Sequence, residues 1–331
     1  MERFALAAAV VLGFALTAAL CSLFVPLRRV LERREQQQQP VQSEQPRPAP
    51  LRAPLWGGLC AAAGTVAAVG VGWLAACVGQ PELLGSEGRL MTRLLTALAG
   101  SLAFGAVGLA EDVARMRSPA ALGLRRDVRL LLEALAAAFV LLLLRAAGCL
   151  PRGLGVPGAG YVLLGSAVPF LWAVLMVTLA ECARIAERDE GAVCGAALVA
   201  MLALMMVEAG LGVSGLAVLP AALAGALVAL GLWAFPPARL GAGCCGSLLA
   251  AGAIGCIPLS LDMTSLTVPL ALPFWAAGGL LAAQLLCAKR TGKPLRCWVK
   301  KHKMSPETVF LCSFALSAVG YVLALALLRW C

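Results

Sequence analysis

Carboxylates gather at two points of an otherwise apolar chain. Glu111 and Asp112 are adjacent, and Glu181, Glu187, Asp189 and Glu190 crowd a second segment that also carries Arg184 and Arg188. Hard oxygen donors at that density could hold a divalent ion and, through it, a phosphate. Beside arginines at a helix end, the same groups more commonly form a solvated ion-pair network. A third group is cationic: Lys289, Lys293, Lys300 and Lys301, followed by His302. These lysines could grip a pyrophosphate without metal, or simply mark a loop on the cytoplasmic side. The 13 cysteines contain no C-x-x-C, and one histidine cannot complete a zinc set of usual spacing. Most of them read as small hydrophobes inside apolar runs.

These residues sit between long apolar stretches. The chain is 61% apolar and 13% charged, with a mean hydropathy of +0.89, beyond the range of a soluble domain. At roughly 20 apolar residues per crossing, ten spans are expected, near 4–27, 55–78, 92–110, 128–149, 160–181, 192–211, 213–235, 245–261, 267–288 and 307–329. Of the 27 Lys and Arg, 21 fall in alternate gaps: Arg28 to Arg52, Arg115 to Arg129, Arg184 with Arg188, Arg239, and Lys289 to Lys303. Cationic loops stay inside during insertion. The expectation is therefore an all-α integral membrane protein, a single polytopic domain over 1–331. It has about ten transmembrane helices, both termini outside and five cytoplasmic loops.

The net charge of +10 follows from that topology and does not call for a nucleic acid partner; it would attract anionic lipid head groups. The first span is too long for a cleaved signal peptide and is needed for the charge parity. Residues 36–54, with four consecutive Gln and Pro40, Pro46, Pro48, Pro50 and Pro54, are expected to form a flexible cytoplasmic loop. Abundant Gly and Ala inside the spans would let helices approach closely. Glu133 and Glu208 fall within spans but near their ends, where solvation is expected to be easy.

In order and spacing, four loop motifs resemble those of the bacterial phospho-N-acetylmuramoyl-pentapeptide transferases, within the polyprenyl-phosphate phosphosugar transferases. Pro54-Leu55-Trp56-Gly57-Gly58 is similar to P-T-M-G-G, and Gly108-Leu109-Ala110-Glu111-Asp112 to G-F-x-D-D. Gly123-Leu124 resembles the start of G-L-x-x-R-x-K, which places Arg129 at the Lys. Pro237 to Ser247 resembles P-A-x-x-F-M-G-D-x-G-S, and Lys289, Thr291, Gly292 and Lys293 match K-x-T-G-K. The resemblance covers nearly the whole chain. It implies a magnesium-dependent transfer of a phosphosugar from UDP to undecaprenyl phosphate in the bacterial cytoplasmic membrane, by a homodimer working with other envelope-synthesis proteins. It places catalytic positions at Glu111, Asp112, Glu187, Glu190, Cys244 and His302. Substrate or phosphate contacts fall at Arg129, Arg184, Lys289, Lys293, Gly57 and Gly58.

The departures concentrate in the chemistry. Cys244 stands where the family has its magnesium-binding Asp, leaving Glu111, Asp112 and Glu187 as residual metal candidates. The N-x-x-N-x-x-D-G-x-D-G motif becomes Glu181, Arg184, Glu187, Arg188, Glu190 and Gly191, and three consecutive His become His302, Lys303 and Met304. Magnesium demands near-octahedral oxygen ligands, and a thiol is a poor substitute. Losing one transition-state contact costs about 3–4 kcal/mol, and here several are missing together. Turn-making residues survive while ligands do not. The expected protein keeps the fold and binds no magnesium, serving as a prenyl-phosphate-binding or scaffold protein; the alternative is an active transferase with a rearranged site.

Overall fold

The computed structural model describes residues 2–38, 56–79, 88–117, 123–151, 153–156, 160–163, 165, 167–187, 192–235, 239–291 and 306–330. A long helix occupies each of the ten apolar segments: α1 (Glu2–Gln38), α2 (Gly57–Gly79), α3 (Gly88–Arg117), α4 (Arg126–Ala146), α5 (Ala167–Ala186), α6 (Ala192–Gly210), α7 (Ser214–Ala234), α8 (Gly243–Ser260), α10 (Leu272–Thr291) and α11 (Pro306–Trp330). The short α9 (Thr267–Leu270) precedes α10. Among the described residues, eight helices are long and apolar enough to cross a membrane. The two outside that set are α4, which carries Arg126, Asp127, Arg129, Glu133 and Arg145, and α10.

Three boundaries differ from the sequence expectation. Residues 160–163 are not helical. They form strand β2 (Gly160–Leu163), antiparallel to β1 (Gly153–Val156), with Gly153 opposite Leu163 and Val156 opposite Gly160. An apolar run looks the same on a strand as on a helix, and only pairing with β1 distinguishes them. The expected span 267–288 is also broken: α9 ends at Leu270 and α10 starts afresh at Leu272. Pro273 lies in the first turn of α10, where a missing N–H costs nothing. Gln36 to Gln38 continue α1 instead of opening a loop; positions 39–54 lie outside the described residues.

The centre of the bundle is α8, every residue of which is buried. It runs against α3, α5, α2 and α6. In a bilayer the apolar effect does not drive helices together, so close packing of small residues must. On the α3–α8 seam Gly252 faces Ser101 and Phe104, and Gly108 lies under the Cys244 carbonyl. At the start of α2, Gly58 meets the Gly246 backbone, and the Gly57 N–H donates to the Gly241 carbonyl at 3.2 Å. A methyl group on Gly108 or Gly58 would overlap backbone atoms that cannot swing away. Gly108→Ala should therefore lower the unfolding midpoint in detergent by an amount equivalent to about 1–3 kcal/mol. Gly70→Ala, with nothing within 4 Å of the new carbon, should be neutral or slightly stabilising. Equal midpoints for the two variants would refute this account of the seam.

The β-hairpin packs against the 3-10 turn Thr264–Leu266 that follows α8. It therefore lies at the opposite end of α8 from Cys244.

Candidate functional site

At the start of α8 the packing of glycines has a chemical result. One turn beyond Gly108, α3 presents Asp112, whose two oxygens accept the N–H groups of Cys244 (3.0 Å, Oδ1) and Cys245 (2.9 Å, Oδ2). The first N–H groups of any helix lack an intrahelical acceptor. Ala242, at the capping position of α8, has no side chain that could serve. Asp112 therefore caps α8 from a neighbouring helix, and it is only 1% exposed.

Around this cap stands a network of carboxyls and guanidiniums. Arg115, one turn after Glu111 and Asp112 on α3, donates from Nη2 to Glu111 Oε1 at 2.7 Å. Its Nη1 lies 3.7 Å from Glu187 Oε2 and 4.0 Å from Asp112 Oδ1. Arg129, on the first turn of α4, donates from Nε to Glu181 Oε1 at 2.7 Å and reaches Glu111 Oε1 at 3.7 Å. Arg184 donates to the other oxygen of Glu181, also at 2.7 Å. The Cys244 thiol points at Glu187 Oε2, 3.9 Å away. Residues from α3, α4, α5 and α8 thus meet in one cluster.

Glu111, Asp112, Glu187, Cys244, Arg129 and Arg184 are all brought together here. Gly57 and Gly58 lie against the Gly241–Gly246 stretch beside it, in backbone contact. Lys289 lies on α10, whereas Glu190, His302 and Lys293 fall outside the described residues. The cluster is not the solvated network that a helix-end reading allows, because Glu111 is 2% exposed and Arg129 is buried. Nor are Glu133 and Glu208 solvated by their nearness to helix ends. Both are fully buried, and their side-chain oxygens have no hydrogen-bond partner among the described residues. Neighbouring helices enclose both positions, which distance along one helix does not reveal. Glu133 sits one turn after Arg129 and senses the charges of Glu181, Arg129, Arg184 and Glu111.

Two members were not singled out from the sequence for a role here. Arg115 was legible in principle, since its spacing from Glu111 and Asp112 is that of a same-face helical pair. Glu133 as a buried partner of the cluster was not, because apart from Arg129 its charged neighbours come from other helices.

A magnesium ion in this family needs hard oxygens free to close an octahedron. Here both Asp112 oxygens are committed to backbone amides, Glu111 Oε1 to two arginines, and position 244 offers sulfur. No group of three His, Cys, Asp or Glu among the described residues is arranged to hold a metal ion. As arranged, these donors do not fit magnesium. They do form a largely buried network in which Arg115, Arg129 and Arg184 pair with Glu111, Glu181 and Glu187.

The model of glycosyl transferase family 4 matches residues 94–262, just over half of the chain, from within α3 to just past the end of α8. A search of the curated proteins found no match. The apolar helices and this match agree on a multi-pass membrane protein. The chain belongs to glycosyl transferase family 4, in the polyprenyl-phosphate phosphosugar transferase superfamily.

Proposed function

We propose that this protein is a family member that has given up magnesium-dependent transfer and acts as a prenyl-phosphate-binding or scaffold protein in cell-envelope synthesis. It would sit in the bacterial cytoplasmic membrane with the charged cluster facing the cytoplasm, nearest in ancestry to the phospho-N-acetylmuramoyl-pentapeptide transferases. The observation that carries this reading is the double hydrogen bond from Cys244 and Cys245 to Asp112. A carboxyl at a catalytic position of the family, and a residual candidate for metal, is spent on capping a helix. The substitution of cysteine at the partner position agrees with that change of duty, since sulfur leaves no oxygen for a bridging ion. With Arg129 and Arg184 engaged by Glu181, Lys289 and Lys293 remain as cations from which a lipid phosphate could gain contacts.

The second reading is an active transferase with rearranged ligands. It is favoured by one observation, the convergence of Glu111, Asp112 and Glu187 around Arg115. Purified full-length protein given UDP-muramoyl-pentapeptide, undecaprenyl phosphate and magnesium separates the two. The expected outcome is saturable binding of undecaprenyl phosphate without lipid-linked product. Product formation that Asp112→Ala abolishes would establish the transferase reading instead.

A further inference from the structure

A second buried cluster, away from the carboxyls, joins α1 to α2. These helices run antiparallel in a constant register. Ala9 faces Gly72, Thr17 faces Gly64, and the rings of Phe24 and Trp56 stack at 5.9 Å with 7° between their planes. Cys21 lies four residues after Thr17, and Cys60 lies four residues before Gly64. The register therefore sets the two cysteines opposite each other, bracketed by a contact on either side.

The helices are also close enough for a covalent link. The Thr17 Cα is 3.3 Å from the place a Cβ on Gly64 would take, and that place is one bond from the Gly64 Cα. The two Cα atoms are thus under about 5 Å apart, inside the disulfide range of about 4.4 to 6.8 Å. One turn along the same seam, Cys21 and Cys60 belong to one buried cluster. Both residues are buried. A groove of about 500 Å³ opens between α1 and α2 along the same seam, lined by Leu20, Leu23, Ala63, Gly64 and Ala67 among others.

We propose that Cys21 and Cys60 are a redox-linkable pair that forms an intramolecular disulfide between α1 and α2. The oxidant class is a small neutral peroxide. One thiol attacks the peroxide, the O–O bond breaks, and a sulfenic acid and water result. The second thiol then attacks the sulfenic sulfur, releasing another water and leaving the disulfide. Two thiols are oxidised and one hydrogen peroxide is reduced to two waters. The bond would staple α1 to α2 one turn below Gly57 and Gly58, the residues that abut the start of α8. This proposal does not depend on whether the protein transfers a phosphosugar.

The test uses full-length protein in lipid nanodiscs, exposed to hydrogen peroxide, blocked with N-ethylmaleimide and digested with trypsin without reductant. Arg52 lies between the two cysteines, so their peptides stay joined only through sulfur. The expected result is that most of Cys21 is recovered in a peptide linked to Cys60. That species disappears with dithiothreitol and is absent from Cys21→Ser and Cys60→Ser. Cys312, which is exposed, reports that oxidant reached the protein. If Cys312 is oxidised while Cys21 and Cys60 remain free, or if Cys60 links to Cys194 instead, the proposal is wrong.

Discussion

Asp112→Ala should destabilise the folded protein by about 3 kcal/mol, measured as the shift in unfolding midpoint in mixed micelles. Hydrogen bonds to a charged acceptor contribute about 1.5–3 kcal/mol each, and Asp112 accepts two from the first turn of α8. Alanine leaves both N–H groups buried with no acceptor from Ala242. The loss falls below the simple sum because removing a carboxyl that is 1% exposed also removes its own desolvation penalty. Asp112→Asn separates the cap from a mere space-filling role. An amide offers one oxygen and one NH2, so it keeps one of the two bonds and turns a donor toward the other N–H. Its midpoint should fall between wild type and alanine. A carboxyl that served only as a metal ligand would behave otherwise, with both variants folded as stably as wild type in the absence of metal. An Asp112→Ala midpoint within about 0.5 kcal/mol of wild type would remove the capping account.

Much of the bundle follows from one-dimensional patterns, and the failures have physical causes. Apolar runs near 20 residues locate the long helices because the bilayer fixes their length. The strand Gly160–Leu163 escaped because Tyr161, Val162 and Leu163 continue an apolar run. Their pairing with β1 is a contact between two segments, which hydropathy does not encode. The break before Leu272 was visible in Pro273, since proline favours a helix's first turn. At the site, motif resemblance put Glu111, Asp112 and Cys244 in one place, and they do meet. Neither period nor composition could link Asp112 to residues 132 and 133 positions away. Burial was the least legible property. Glu133 and Glu208 are enclosed by helices distant in sequence, so counting residues from a helix end could not show it.

Arg115 decides how the charged cluster is held together. Its guanidinium lies 2.7 Å from Glu111, 3.7 Å from Glu187 and 4.0 Å from Asp112. Among the described residues, it is the cation that reaches all three of the residual metal candidates. Removing one partner of a fully buried ion pair costs about 3–5 kcal/mol. Because the Arg115 side chain keeps 22% exposure, the cost of Arg115→Gln should be smaller, on the order of 2 kcal/mol. The carboxyls left behind would repel one another unless another cation joined them. Arg115→Gln should therefore acquire a stability that rises with magnesium or manganese and falls with chelator. An ion at about a hundredfold its Kd restores about 2.7 kcal/mol, enough to cancel the loss. Wild-type protein, with the guanidinium in place, should unfold at the same midpoint in either condition. Thermal unfolding of both proteins with and without divalent ion makes the comparison. If wild type is stabilised by magnesium as strongly as the variant, Arg115 is not the cation that holds Glu111, Asp112 and Glu187 together.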